Sequence, residues 1–130
     1  HARIYAERED CRLLAVCDRI PERAKAGGEK FGVKWYTSAQ EMLAAERPDL
    51  VSVATGGYEY SSDHYEPTIQ ALRAGCHVLG EKPISNDLKH AAEMVRTGMS
   101  SRGSIAVTSS SRAALGRSDI CSGSSVWWVK

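Results

Sequence analysis

Short apolar runs alternate with longer amphipathic stretches along the first hundred residues of this chain. Leu13-Leu14-Ala15-Val16-Cys17 is one such run and is closed by Asp18. Val33-Lys34-Trp35-Tyr36, Leu50-Val51-Ser52-Val53-Ala54 and His77-Val78-Leu79-Gly80 are the others. Short apolar runs bounded by turn or charged residues read as strands buried on both faces. Residues 1–10 mix Ala2, Ile4, Tyr5 and Ala6 with charged side chains and read as the end of a helix. A second helix is predicted over 21–31, with Pro21 in its first turn and Gly27-Gly28 weakening its end. The third carries Met42, Leu43, Ala44 and Ala45 and must stop near Pro48. Thr37 or Ser38 caps it, with Glu41 placed as in a capping box. A fourth runs from near Asp63 to Ala74, where Gly75 stops it. A fifth covers about 86–97, capped by Ser85, Asn86 or Asp87. This strict alternation predicts an α/β fold, a parallel sheet with helices on both faces.

The rhythm ends near residue 98. Residues 100–130 contain ten serines, and Ser104-Ile105-Ala106-Val107-Thr108 reads as one further strand. Beyond it, Ser109-Ser110-Ser111 and Ser122-Gly123-Ser124-Ser125 read as loop or disorder. Val126-Trp127-Trp128-Val129 is an apolar terminus with no evident partner. Two regions follow: a domain over 1–99 and an atypical serine-rich tail over 100–130, with one strand and then irregular chain.

Composition narrows the function classes. A length of 130 residues suits about one domain. Lysine plus arginine number 17 and aspartate plus glutamate 16, a net charge of +1. That balance gives no electrostatic argument for nucleic acid or an anionic membrane as partner. No apolar run approaches the roughly 18 residues of a membrane span. Cys11, Cys17, Cys76 and Cys121 form no C-x-x-C pair and have no zinc spacing. They read as reduced thiols, mostly buried, in a cytoplasmic protein. The start at His1-Ala2-Arg3, without methionine or a signal pattern, reads as a fragment or a processed chain.

The candidate chemistry collects at the carboxyl ends of the predicted strands, where open α/β sheets bind ligands. Asp18 either accepts hydrogen bonds from ribose hydroxyls or caps a helix. Thr55-Gly56-Gly57 either lets backbone approach a ligand or is an ordinary turn. His64 either donates to an anionic group at a helix start or is a surface histidine beside Asp63. His77 and His90 lie inside a strand and a helix and read as structural. Glu81-Lys82 is either a polar pair that meets a substrate hydroxyl or a surface ion pair worth under about 1 kcal/mol. Pro83 fixes the backbone just beyond Lys82 and favours the functional reading.

Together these residues resemble the Gfo/Idh/MocA family of NAD(P)-dependent oxidoreductases. The resemblance covers roughly residues 1–98. Its parts are Leu14-Ala15-Val16-Cys17-Asp18, Pro48 to Thr55, His64-Tyr65-Glu66-Pro67 with Ala74-Gly75, and His77-Val78-Leu79-Gly80-Glu81-Lys82-Pro83-Ile84-Ser85. It implies a Rossmann-type dinucleotide-binding domain that takes NAD, with NADP left open by Arg19. Cofactor contacts would come from Asp18, Arg19, Thr55, His64, Glu81 and Lys82. Lys82 would be the catalytic residue, touching the substrate hydroxyl, with a cis Lys82-Pro83 peptide. The implied activity is hydride transfer between nicotinamide and a sugar or polyol hydroxyl. The full-length parent would be a homo-oligomer.

Three departures qualify that picture. The family's first strand and its G-x-G-x-x-G turn are absent, and His1-Ala2 resembles the residues just after that turn. Their loss would take the pyrophosphate cradle and leave an exposed sheet edge prone to self-association. Thr55-Gly56-Gly57 replaces the usual Thr-Pro-Asn, with a gap to His64 about four residues longer than is usual for the family. Residues 100–130 do not resemble the family's second α/β domain, as in a truncated or frame-shifted coding sequence. The expectation is that this chain alone is inactive. The alternative is a non-catalytic Rossmann module that binds a nucleotide or a protein partner.

Overall fold

The computed structural model describes residues 1–55, 64–107 and the backbone of 125–129. In chain order the elements are α1 (Ala2–Glu7), β1 (Leu13–Asp18), α2 (Pro21–Phe31), β2 (Lys34–Tyr36), α3 (Ala39–Glu46), β3 (Leu50–Ala54), α4 (Tyr65–Arg73), β4 (His77–Gly80), α5 (Leu88–Ser100), β5 (Ile105–Val107) and β6 (Ser125–Val129). The alternation read from the sequence is the alternation of the fold.

Local chemistry sets the element ends. Pro21 occupies the first turn of α2, where its missing N–H costs nothing. The helix runs through Gly27-Gly28 and ends at Gly32, whose φ of 64° lies in the left-handed region. Gly28 serves packing: a Cβ there would lie 2.8 Å from Trp35 Cδ1 and 2.9 Å from the Val33 carbonyl oxygen. The Ser38 side chain accepts from the Glu41 amide and caps α3. Asp87 caps α5 by accepting from the amides of Lys89 and His90. The helix before Gly75 begins at Tyr65, and Asp63 lies outside the described residues.

The strands form one six-stranded sheet in the order β2-β1-β6-β3-β4-β5. β1, β2, β3, β4 and β5 run parallel, and β6 runs against its neighbours. Parallel neighbours are linked by helical crossovers, as parallel pairs require. Ala15 and Cys17 of β1 and Val51 and Val53 of β3 pack with Met42 of α3 and Leu72 of α4 in the main core. Side chains of the opposite parity are buried too, Val16 at 2% exposure and Ser52 at 0%. Both faces of the central sheet are therefore covered.

The tail departs from its reading. Val126-Trp127-Trp128-Val129 has partners on both sides: β6 pairs with β1 from Asp18↔Ser125 to Leu13↔Val129 and with β3 from Ala54↔Ser125 to Leu50↔Val129. The tail thus contributes β5 and β6, not one strand. β6 also corrects the expectation of an exposed edge. In the usual dinucleotide-binding order, 3-2-1-4-5-6, the first strand is central. β6 fills that central place with reversed polarity, so no edge is left open between β1 and β3. The serine-rich stretches 109–111 and 122–124 lie outside the described residues.

Candidate functional site at the carboxyl edge of the sheet

The parallel strands end on one edge at Asp18, Tyr36, Ala54, Gly80 and Val107. Asp18 closes β1, Thr55 follows β3 and Glu81-Lys82 follow β4, while His64 begins the turn into α4. Asp18 closes β1 at 3% exposure, and its Oδ1 accepts from the Ile20 amide at 2.9 Å. It therefore organises the turn into α2, as a capping aspartate would. A carboxylate offers about four lone-pair sites, so this bond does not use up its acceptor capacity. Arg19, next in the chain, is exposed.

Two strand spacings away, about 10 Å, Thr55 follows β3. Thr55 Oγ1 and His64 Nδ1 lie 2.6 Å apart. His64 begins the turn into α4 and is 3% exposed, so it is a buried histidine and not a surface one. The start of α4 is thereby pinned to the end of β3. Of the histidines read as structural, His77 Nδ1 lies 2.8 Å from Ser104 Oγ, and His90 stacks on Tyr65 with ring centroids 4.0 Å apart.

Beyond β4, the Glu81 amide donates to the Val53 carbonyl at 3.0 Å, which holds Glu81-Lys82-Pro83 at the head of β3. The Lys82-Pro83 peptide is cis, as the resemblance implied. Glu81 does not pair with Lys82. Its Oε1 lies 2.7 Å from His1 Nε2, and His1 Nδ1 lies 3.0 Å from Ser52 Oγ. Lys82 is exposed. His1 was missed by the sequence reading. Its signal was available: it opens the first helix at the point where the resemblance begins.

The thiols behave as buried or partly buried groups. Cys17 and Cys76 are buried and Cys11 is partly buried, and all three are free. Burial, with Asp18 and Glu41 nearby, pushes the Cys17 thiol up to about 12. Burial also raises Cys76. Among the described residues, no cluster of His, Cys, Asp and Glu is placed to hold a metal ion, and no helix is long and apolar enough to cross a membrane.

An α/β sheet with five parallel strands and polar residues gathered at their carboxyl ends is the arrangement that dinucleotide-binding folds use. The model of the oxidoreductase family with an NAD-binding Rossmann fold, Gfo/Idh/MocA, matches residues 1–108. The chain belongs to that family. It is 43% identical over 98 residues to D-glucoside 3-dehydrogenase of Escherichia coli K12, covering 75% of this chain and 27% of that protein. Among solved structures, a probable dehydrogenase from Thermotoga maritima superposes with a TM-score of 0.72 at 27% identity, over 82% of this chain and 31% of that one. The WlbA dehydrogenase from Bordetella pertussis, solved with NADH and UDP-GlcNAcA, gives 0.64 at 26% identity, over 75% of this chain and 29% of that one. The chain spans about a quarter of the length of the curated relatives it matches.

Proposed function

We propose that this chain is the NAD-binding part of a cytoplasmic oxidoreductase acting on a sugar or polyol hydroxyl. The observation that carries this reading is the gathering of Asp18, Thr55 with His64, and Glu81-Lys82 along one sheet edge. Asp18 lies at the adenosine side, where its carboxylate accepts ribose hydroxyls and disfavours a 2′-phosphate by like charge. Arg19 beside it is the residue through which NADP would be tolerated. Thr55 and His64 line the middle of the cleft. Glu81 and Lys82 lie at the nicotinamide side, with Lys82 orienting the substrate hydroxyl.

The fit to the cofactor is uneven. The ribose and nicotinamide ends have suitable side chains. The pyrophosphate part does not have its usual cradle among the described residues, because β6 begins at this edge instead of ending there. A bound nicotinamide cofactor supplies the hydride chemistry. The chain's own residues bind and orient, and Lys82 holds or gives up a proton at Nζ. The substrate and homo-oligomeric assembly belong to the longer protein.

The experiment is a nuclear magnetic resonance titration of the chain with NAD. Shifts confined to the amides of Asp18, Arg19, Thr55, His64, Glu81 and Lys82 support the reading. Shifts elsewhere, or none at millimolar NAD, overturn it.

A further inference from the structure

The dinucleotide reading makes no use of β6. β1 and β3 are each paired to it along their length, from Asp18↔Ser125 to Leu13↔Val129 and from Ala54↔Ser125 to Leu50↔Val129. Val16 and Cys17 in β1, and Ser52 and Val53 in β3, are all buried, so both faces of this part of the sheet are interior. An empty place between β1 and β3 would leave two rows of backbone donors and acceptors unpaired inside the protein. Such groups are costly, and an open pairing edge seeks a strand. The place therefore needs an occupant.

β1 and β3 run in the same direction, yet the strand between them runs against both. Ser125-Val126-Trp127-Trp128-Val129 contains β-branched and aromatic residues and no proline, a composition that suits a strand. The 17 residues of 108–124 join Val107 to Ser125. At roughly 3.3 Å per residue they reach well beyond the three strand spacings of about 4.8 Å between β5 and β6.

We propose that the slot between β1 and β3 is a strand-acceptor site. It recognises an extended apolar segment of about five residues by backbone pairing on both edges. The chain's own segment Ser125–Val129 is its ligand, in cis here and also when supplied as a separate peptide. Backbone pairing provides affinity in added-strand recognition, and side-chain pockets add selectivity.

The test uses the full chain. Hydrogen exchange is expected to show Val126 to Val129 amides as protected as those of Val51 to Val53. Trp127→Pro removes a donor in mid-strand and clears the slot. A dye-labelled peptide of residues 122–130 is then titrated against this variant and the unaltered chain by fluorescence anisotropy. It is expected to bind the variant at least tenfold more tightly, and a peptide carrying the same proline is expected not to bind. If the variant does not fold, adding the peptide during refolding is expected to restore a cooperative thermal transition. Any of four results overturns the proposal: exchange of the 126–129 amides within seconds, equal or absent peptide binding to both chains, a variant that melts like the unaltered chain, or an unfolded variant that the peptide does not rescue.

Discussion

His1 joins β3 to the proposed nicotinamide side of the cleft: its Nε2 lies 2.7 Å from Glu81 Oε1 and its Nδ1 3.0 Å from Ser52 Oγ. The first helix is thus tied to the turn that carries Lys82. His1→Ala is expected to cost about 1–2 kcal/mol, as for two lost, partly exposed hydrogen bonds. Thermal melting with a transition a few degrees lower, together with amide shifts at Ser52, Glu81 and Lys82, checks it. A variant whose Glu81 and Lys82 amides do not move shows that His1 does not hold this turn.

The Thr55–His64 contact pins the start of α4 to the end of β3. Because His64 is buried, Thr55→Val leaves an imidazole nitrogen without its hydroxyl partner. An expected loss of about 1–3 kcal/mol follows for a buried unsatisfied group. Denaturant unfolding measures it. His64→Ala in the same background should then add less than it does alone, because the two side chains act as a pair.

Gly103 admits no side chain. A Cβ there would lie 1.9 Å from the Cys76 carbonyl oxygen, a backbone atom that cannot swing aside. Gly103→Ala is expected to destabilise by about 3 kcal/mol, the upper part of the usual overpacking range. Gly98→Ala, whose Cβ would meet Ile105 Cγ2 at 3.1 Å, should cost less because a side chain can shift. Equal melting temperatures for the two variants would contradict this ordering.

Cys17 links stability to alkaline pH. Its folded-state pKa is pushed up from 9.0 to about 12 by burial. The folded state therefore holds the thiol proton more tightly than the unfolded state. That stability is fully present below pH 9 and is lost as pH rises toward 12. Urea midpoints measured between pH 8 and 11 should fall more steeply for the natural chain than for Cys17→Ala. A disulfide-exchange reagent at pH 8 should leave Cys17 unreacted until the chain unfolds.

Most of the fold was legible because its signals are local. Asp18, Ser38 and Asp87 mark strand and helix ends by side-chain hydrogen bonds, and Gly75 by its positive φ, all within a few residues. Asp18, Thr55, Glu81 and Lys82 could be picked out for the same reason, since they lie at or just after strand ends. What was not legible depends on distant pairing. The partners of Val126 to Val129, β1 and β3, lie more than seventy residues earlier in the chain. The burial of His64 was hidden by its polar neighbours Asp63, Tyr65 and Glu66. Gly28 read as a helix weakener because its reason, the approach of Trp35, lies across the strand that follows.

Titration calorimetry with NAD, comparing the full chain with Asp18→Ala, tests the dinucleotide cleft most directly. The account predicts weak binding by the full chain, since the pyrophosphate lacks its usual cradle among the described residues. It predicts at least about tenfold weaker binding by the variant, the loss expected for hydrogen bonds to a charged group at about 1.5 kcal/mol. No heat of binding at millimolar NAD, or equal affinity in the two proteins, would contradict it.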